Sequence, residues 1–328
     1  MKKKISEFIA FILALAVVIG TAYYIPYVLM PVRKDYGATW NMYLEEPEDS
    51  IDVILLGSSL LYCDVVPACI YDKTGITSYV VGGGSLSSSI GYYYLRQALK
   101  TQSPDLVMIE ATNVYFKKYE EYTKVNIGYM PYGMNRLGAT LNAAEPEERF
   151  GLLFPLYNYH DLWEKHTIAD YFSPRADKKT DINAGYTYLT EIKEQNERTV
   201  RPIADGEMVD FNYHYLEKTV ELCREKGIKV ELFLSPSCYY LDDEAQNRLK
   251  NTFPDVTFVD YSDSMEEMGI DMKSDFYDKL HLNFSGADKF SGFLAEHITE
   301  YYDITEREHS EPLWQERVEN YNKYLTGE

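Results

Sequence analysis

Five short apolar runs, each closed by a turn residue, constrain this chain more than any other feature. They are IDVILLG (Ile51–Gly57), TSYVVGGG (Thr77–Gly84), DLVMIEATN (Asp105–Asn113), IKVELFLSP (Ile228–Pro236) and VTFVDYSD (Val256–Asp263). Short continuous apolar runs suit strands covered on both faces. Helix-period segments separate them: Ile90–Lys100, with Leu95 and Leu99 on one face; Phe211–Gly227, closed by Gly227; and Ser285–Tyr302. Strands alternating with helices imply a parallel sheet with right-handed crossovers. Such sheets place ligands beyond the carboxyl ends of their strands, so chemistry is sought there.

The N-terminus imposes a second constraint. From Phe8 to Val32 there are 25 residues without a charge. As a helix they extend about 37 Å, against roughly 30 Å of bilayer hydrocarbon. A small-residue stretch ending at Ala22 offers a signal-cleavage site, but the run exceeds the usual signal-peptide core, so a retained anchor is expected. Lys2, Lys3 and Lys4 precede the span, and Arg33 and Lys34 follow it. That slight bias puts the N-terminus in the cytoplasm and the rest of the chain outside. The expected organisation is an anchor over 1–34, a polar linker over 35–50, one catalytic domain over 51–305 and a polar tail over 306–328. A turn- and aromatic-rich insertion at about 114–205 forms a cap or side lobe.

Charge and cysteine content exclude other classes. The net charge is −20, which repels phosphate backbones and argues against nucleic acid as a partner. Cys63, Cys69, Cys223 and Cys238 show no C-x-x-C spacing, so neither a zinc site nor a redox motif is expected. Cys63 and Cys69 are close enough to bridge in an oxidising compartment, or to remain buried thiols. A G-x-S-x-G elbow, a P-loop and a G-x-G-x-x-G turn are all missing. No metal and no cofactor are expected.

Three strand ends and one segment before the last helix carry candidate chemistry. Gly57-Ser58-Ser59 follows the first run, where a serine can serve as nucleophile or merely cap a helix. Gly82-Gly83-Gly84 follows the second, where a backbone N–H can bind an oxyanion; Gly84 is the preferred donor. Asn113 follows the third, where its amide can add a second donor, an interaction typically worth about 3–4 kcal/mol. Asp278 and His281, in DKLHLN, precede the last helix, and a carboxylate at that spacing can orient the imidazole.

Together these blocks resemble the SGNH (GDSL-like) serine hydrolase family over about Asp52 to Tyr302. Ser58 stands where the family has an acid, and Ala111 where it has a glycine. The resemblance implies a flavodoxin-like three-layer α/β sandwich with a central five-stranded parallel sheet. It assigns Ser59, His281 and Asp278 as the catalytic set, with Ser59, Gly84 and Asn113 as the oxyanion hole. The N-terminal span, the GSS turn, FPLYNYHDLW (Phe154–Trp163) and DFYDKLHLN (Asp275–Asn283) look most like membrane-anchored Gram-positive-type members akin to D-alanyl transfer proteins of teichoic acid modification. The expectation is therefore an extracytoplasmic serine esterase or O-acyltransferase. Its substrate would be an acylated envelope glycan or teichoic acid, and its partner a membrane-bound O-acyltransferase. The alternative is an inactive binding or scaffold protein on the same fold.

Overall fold

The structure, a computed structural model, describes residues 2–30, 40–117, 120–172 and 180–327. Along the chain, α1 (Lys2–Leu29) precedes α2 (Trp40–Tyr43) and β1 (Val53–Gly57). Next come α3 (Ser59–Tyr62), α4 (Pro67–Thr74), β2 (Ser78–Gly82), α5 (Ser88–Ala98) and β3 (Leu106–Glu110). A 3-10 turn, Ala111–Tyr115, opens a lobe of α6 (Glu120–Gly128), α7 (Met134–Asn142), α8 (Pro146–Leu153), α9 (Leu156–Tyr159) and the 3-10 turns His160–Lys165 and Ile168–Phe172. The chain returns through β4 (Thr199–Val200), α10 (Gly206–Glu225), β5 (Lys229–Leu234), β6 (Tyr239–Tyr240) and α11 (Asp243–Thr252). It closes with β7 (Thr257–Asp260), α12 (Phe284–Tyr301) and α13 (Glu311–Thr326).

The five expected strands form one parallel sheet in the order β2-β1-β3-β5-β7. Every residue of β1, β2 and β3 is buried, because helices cover both faces. Ile54, Leu56, Val107 and Ile109 pack on one side with Leu95 of α5 and Leu216 and Val220 of α10. Val53, Leu55, Leu106 and Met108 pack on the other with Ile70 of α4 and Phe290 and Leu294 of α12. Each such side chain contributes roughly 1.5–3 kcal/mol by leaving water. The fold is the anticipated three-layer α/β sandwich.

Helix ends are set locally. Asp205 accepts the Met208 N–H at 3.0 Å at the start of α10, and Gly227 adopts φ 70° just past its end, where a glycine avoids a Cβ clash. Asn283 caps α12 by accepting from Gly286 at 3.2 Å. That cap places His281 immediately before a rigid helix.

Two polar segments are docked on the domain. The polar linker, of which 35–39 lies outside the described residues along with Arg33 and Lys34, does not stay clear of the domain. Trp40 and Tyr43 are buried, with ring contacts of 4.8 Å to Tyr94 and 4.9 Å to Tyr79. The polar tail, expected as a surface helix or partly disordered, folds as a helix with one docked side. In α13, which packs on α4, Trp314 stacks on Tyr71 at 4.8 Å, and the buried Arg317 guanidinium bonds Glu46 at 2.5 Å. A few large side chains at helical spacing are enough to dock a segment whose average composition is polar. All four cysteines are free and buried, so Cys63 and Cys69 are not bridged.

Helix α1 is long and apolar enough to cross a membrane. Its body-side end, including Val28 and Leu29, is buried against the rest of the chain.

Candidate active site

At the end of β1 the chain turns into α3 within two residues. Gly57 permits this close approach: a Cβ there would lie 2.9 Å from Glu110 Cβ and 3.0 Å from Leu61 Cδ2. The two hydroxyls that follow divide the work. Ser58 is fully buried and caps α3, its Oγ accepting from the Leu60 N–H at 3.4 Å. Ser59 turns outward and lines a cleft of about 230 Å³.

Ser59 Oγ lies 2.8 Å from His281 Nε2. The other ring nitrogen, Nδ1, lies 3.0 Å from both carboxylate oxygens of Asp278. An ionised carboxylate only accepts hydrogen bonds, so Nδ1 carries the hydrogen and Nε2 is left to accept from Ser59. Asp278 Oδ1 also accepts the backbone N–H groups of Leu280 at 2.7 Å and His281 at 2.9 Å. Burial raises the Asp278 carboxyl, but the hydrogen bond and charge of His281, with those two N–H groups, outweigh it and hold it below the ordinary aspartate value. The group is therefore ionised at neutral pH.

His281 stands on a short bridged turn, with Phe276 and Leu282 paired across it and both buried. These apolar anchors fix the turn. Asp64, just past α3, accepts the Leu282 N–H at 2.9 Å from beneath.

The two remaining expected residues, Gly84 and Asn113, adjoin segments that line the cleft and have no described hydrogen bond to Ser59. Gly84 precedes Ser85, a cleft-lining residue held at φ 44°. Positive φ is costly for a residue with a Cβ, and such strain clusters at functional sites. Asn113 is buried in the turn leading to Tyr115 and Phe116, which also line the cleft. Ser88 Oγ donates to Asn113 Oδ1 at 2.9 Å, which fixes the amide plane and leaves its Nδ2 as the donor.

Several residues at the site were not anticipated. Lys117 and Arg201 line the cleft beside Ser59, a pair of cations in a strongly acidic chain. Glu110 is fully buried under Gly57, and burial pushes its carboxyl up to about 7 against hydrogen bonds from Thr112 and the charge of Arg201. Of these, only Glu110 left a mark in the sequence, as the one acid within β3. His160 and Trp163 do not join the site; they are exposed on the lobe.

A family model without a description matches residues 158–303, which include Asp278 and His281 and leave out Ser59. No curated protein matches the chain. A solved structure from Bacteroides fragilis NCTC 9343, described provisionally as an acylhydrolase, aligns over 79% of this chain and 92% of its own, with TM-score 0.35 and 15% identity. At that likeness nothing of its chemistry passes to this chain.

Proposed function

We propose that the chain is a membrane-anchored serine esterase or O-acyltransferase acting on ester-linked acyl groups. The observation that carries this reading is the unbroken Ser59–His281–Asp278 relay, with contacts of 2.8 and 3.0 Å. Ser59 Oγ attacks the ester carbonyl as His281 Nε2 takes its proton. Asp278 holds the imidazole in the required tautomer and stabilises its cation. The Ser59 N–H, Gly84 N–H and Asn113 amide receive the oxyanion. His281 then returns the proton to the leaving alcohol. Water or a second hydroxyl resolves the acyl-enzyme, which is the only difference between hydrolysis and transfer.

Lys117 and Arg201 beside the nucleophile support a substrate that carries negative charge. With the expected outward orientation, that favours an acylated teichoic acid or acidic envelope glycan, loaded by a membrane-bound O-acyltransferase.

A fluorophosphonate probe tests the reading. Labelling of the intact protein is expected, lost in Ser59→Ala and reduced at least tenfold in His281→Ala. Absence of labelling in the unaltered protein overturns the enzyme and leaves the scaffold reading.

A further inference from the structure

The uncharged, exposed part of α1 is at the short limit for a bilayer. From Phe8, the first residue past Glu7, to Tyr24, 17 uncharged residues are exposed. At about 1.5 Å per residue that is about 25 Å, against roughly 30 Å of hydrocarbon. A membrane spanned by α1 therefore comes up to the folded body.

What it reaches is the lobe. Helix α1 packs against α9 and both 3-10 turns that follow it. The Tyr23 ring lies 4.8 Å from that of Tyr132, and Tyr24 Oη donates to the Tyr171 carbonyl at 2.5 Å. Around this foot the lobe exposes Phe150, Phe154, Tyr157, Trp163, Ile168 and Phe172, the last two more than 80% exposed (82% and 85%). The Phe150 ring contacts those of Phe154 and Tyr157, at 5.0 and 5.3 Å. Beside them Met134, Leu137 and Leu141 form an exposed stripe along one side of α7. Met134 and Leu137 also share an apolar cleft with Tyr23 of α1. Single exposed apolar side chains are ordinary on a soluble surface; a continuous field of them is not. Tyrosine and tryptophan at the level where a spanning helix leaves the hydrocarbon match the interfacial aromatic belt.

We propose that this face of the lobe lies in the interfacial layer of the bilayer that α1 spans. It forms a second membrane contact that does not cross the membrane. One helix alone would let the body swivel. The second contact fixes which side of the body faces the lipid.

Trp163 reports on this directly, because Trp40 and Trp314 are buried in the body. Full-length protein is reconstituted into phosphatidylcholine vesicles and recovered by flotation. Its emission is compared in ordinary lipid and in lipid brominated on the acyl chains near the glycerol. The expected result is loss of the Trp163 share of the emission, with weaker quenching by bromines near the chain ends. Trp163→Phe abolishes the effect. Emission that ignores brominated lipid and is instead quenched by acrylamide in the water overturns the proposal, since α1 alone would leave Trp163 in solvent. Failure to float overturns it too. Ser59→Ala behaves like the unaltered protein, because the contact does not depend on chemistry at the cleft.

Discussion

Asp64 accepts the backbone N–H of Leu282 at 2.9 Å and thereby ties the segment after Ser59 to the turn that holds His281. The carboxyl is fully buried, and burial raises it well above the ordinary aspartate value. Asp64→Ala leaves the Leu282 N–H without its acceptor, at a cost of about 1–3 kcal/mol. It also loosens the Ser59–His281 distance, lowering kcat roughly tenfold or more. Asp64→Asn keeps the acceptor and is expected to stay within a few-fold of the unaltered protein. Thermal melting and turnover of a chromogenic ester separate the two; full activity in Asp64→Ala would show that the latch does not position His281.

Asp278→Asn tests the tautomer argument. An amide that donates toward Nδ1 drives the imidazole hydrogen to Nε2, where it faces Ser59 instead of accepting from it. Activity is expected to fall about 10³–10⁴-fold with the fold intact. Steady-state kinetics and circular dichroism check both halves. A loss of only a few-fold would mean that Asp278 merely packs against His281.

Glu110 gives the fold a pH dependence of defined sign. Its folded carboxyl is raised from the ordinary value to about 7, so the folded state holds this proton more tightly than the unfolded chain does. Its contribution to stability is thus most favourable below the ordinary glutamate value and is lost as pH rises through about 7. The shift corresponds to about 3 kcal/mol. Glu110→Gln cannot ionise. Denaturant melts are expected to show the variant close to the unaltered protein at acid pH and more stable by on the order of 2–3 kcal/mol above neutrality. Parallel pH curves for the two proteins would remove Glu110 as the cause.

Arg317 links the C-terminal helix to the domain through Glu46 and the Asp181 carbonyl. Burial raises the Glu46 carboxyl while Arg317 pulls it back. Arg317→Ala strands Glu46 in the interior and is expected to destabilise by about 3–5 kcal/mol. Replacing both residues by methionine should recover most of that loss. Urea denaturation of the single and double variants measures the difference, and equal losses in the two would show that charge pairing is not the reason.

Short-range pattern determined much of this protein. Alternating apolar runs named all five sheet strands to within a few residues, because a strand covered on both faces must be apolar throughout. The same pattern pointed to the end of β1, and so to Ser59, while Asp278 and His281 stood out by their three-residue spacing before the last helix. It was silent wherever partners are distant in the chain. Trp40 and Tyr43 sit in polar surroundings and show their burial only once Tyr79 and Tyr94 are beside them. Asp64 looks like any surface acid until Leu282 lies over it, and Lys117 and Arg201 become a pair only across the cleft. Periodicity records what a residue's near neighbours bury, while a catalytic cleft is assembled by contacts hundreds of residues apart, and those exist only after the sheet has formed.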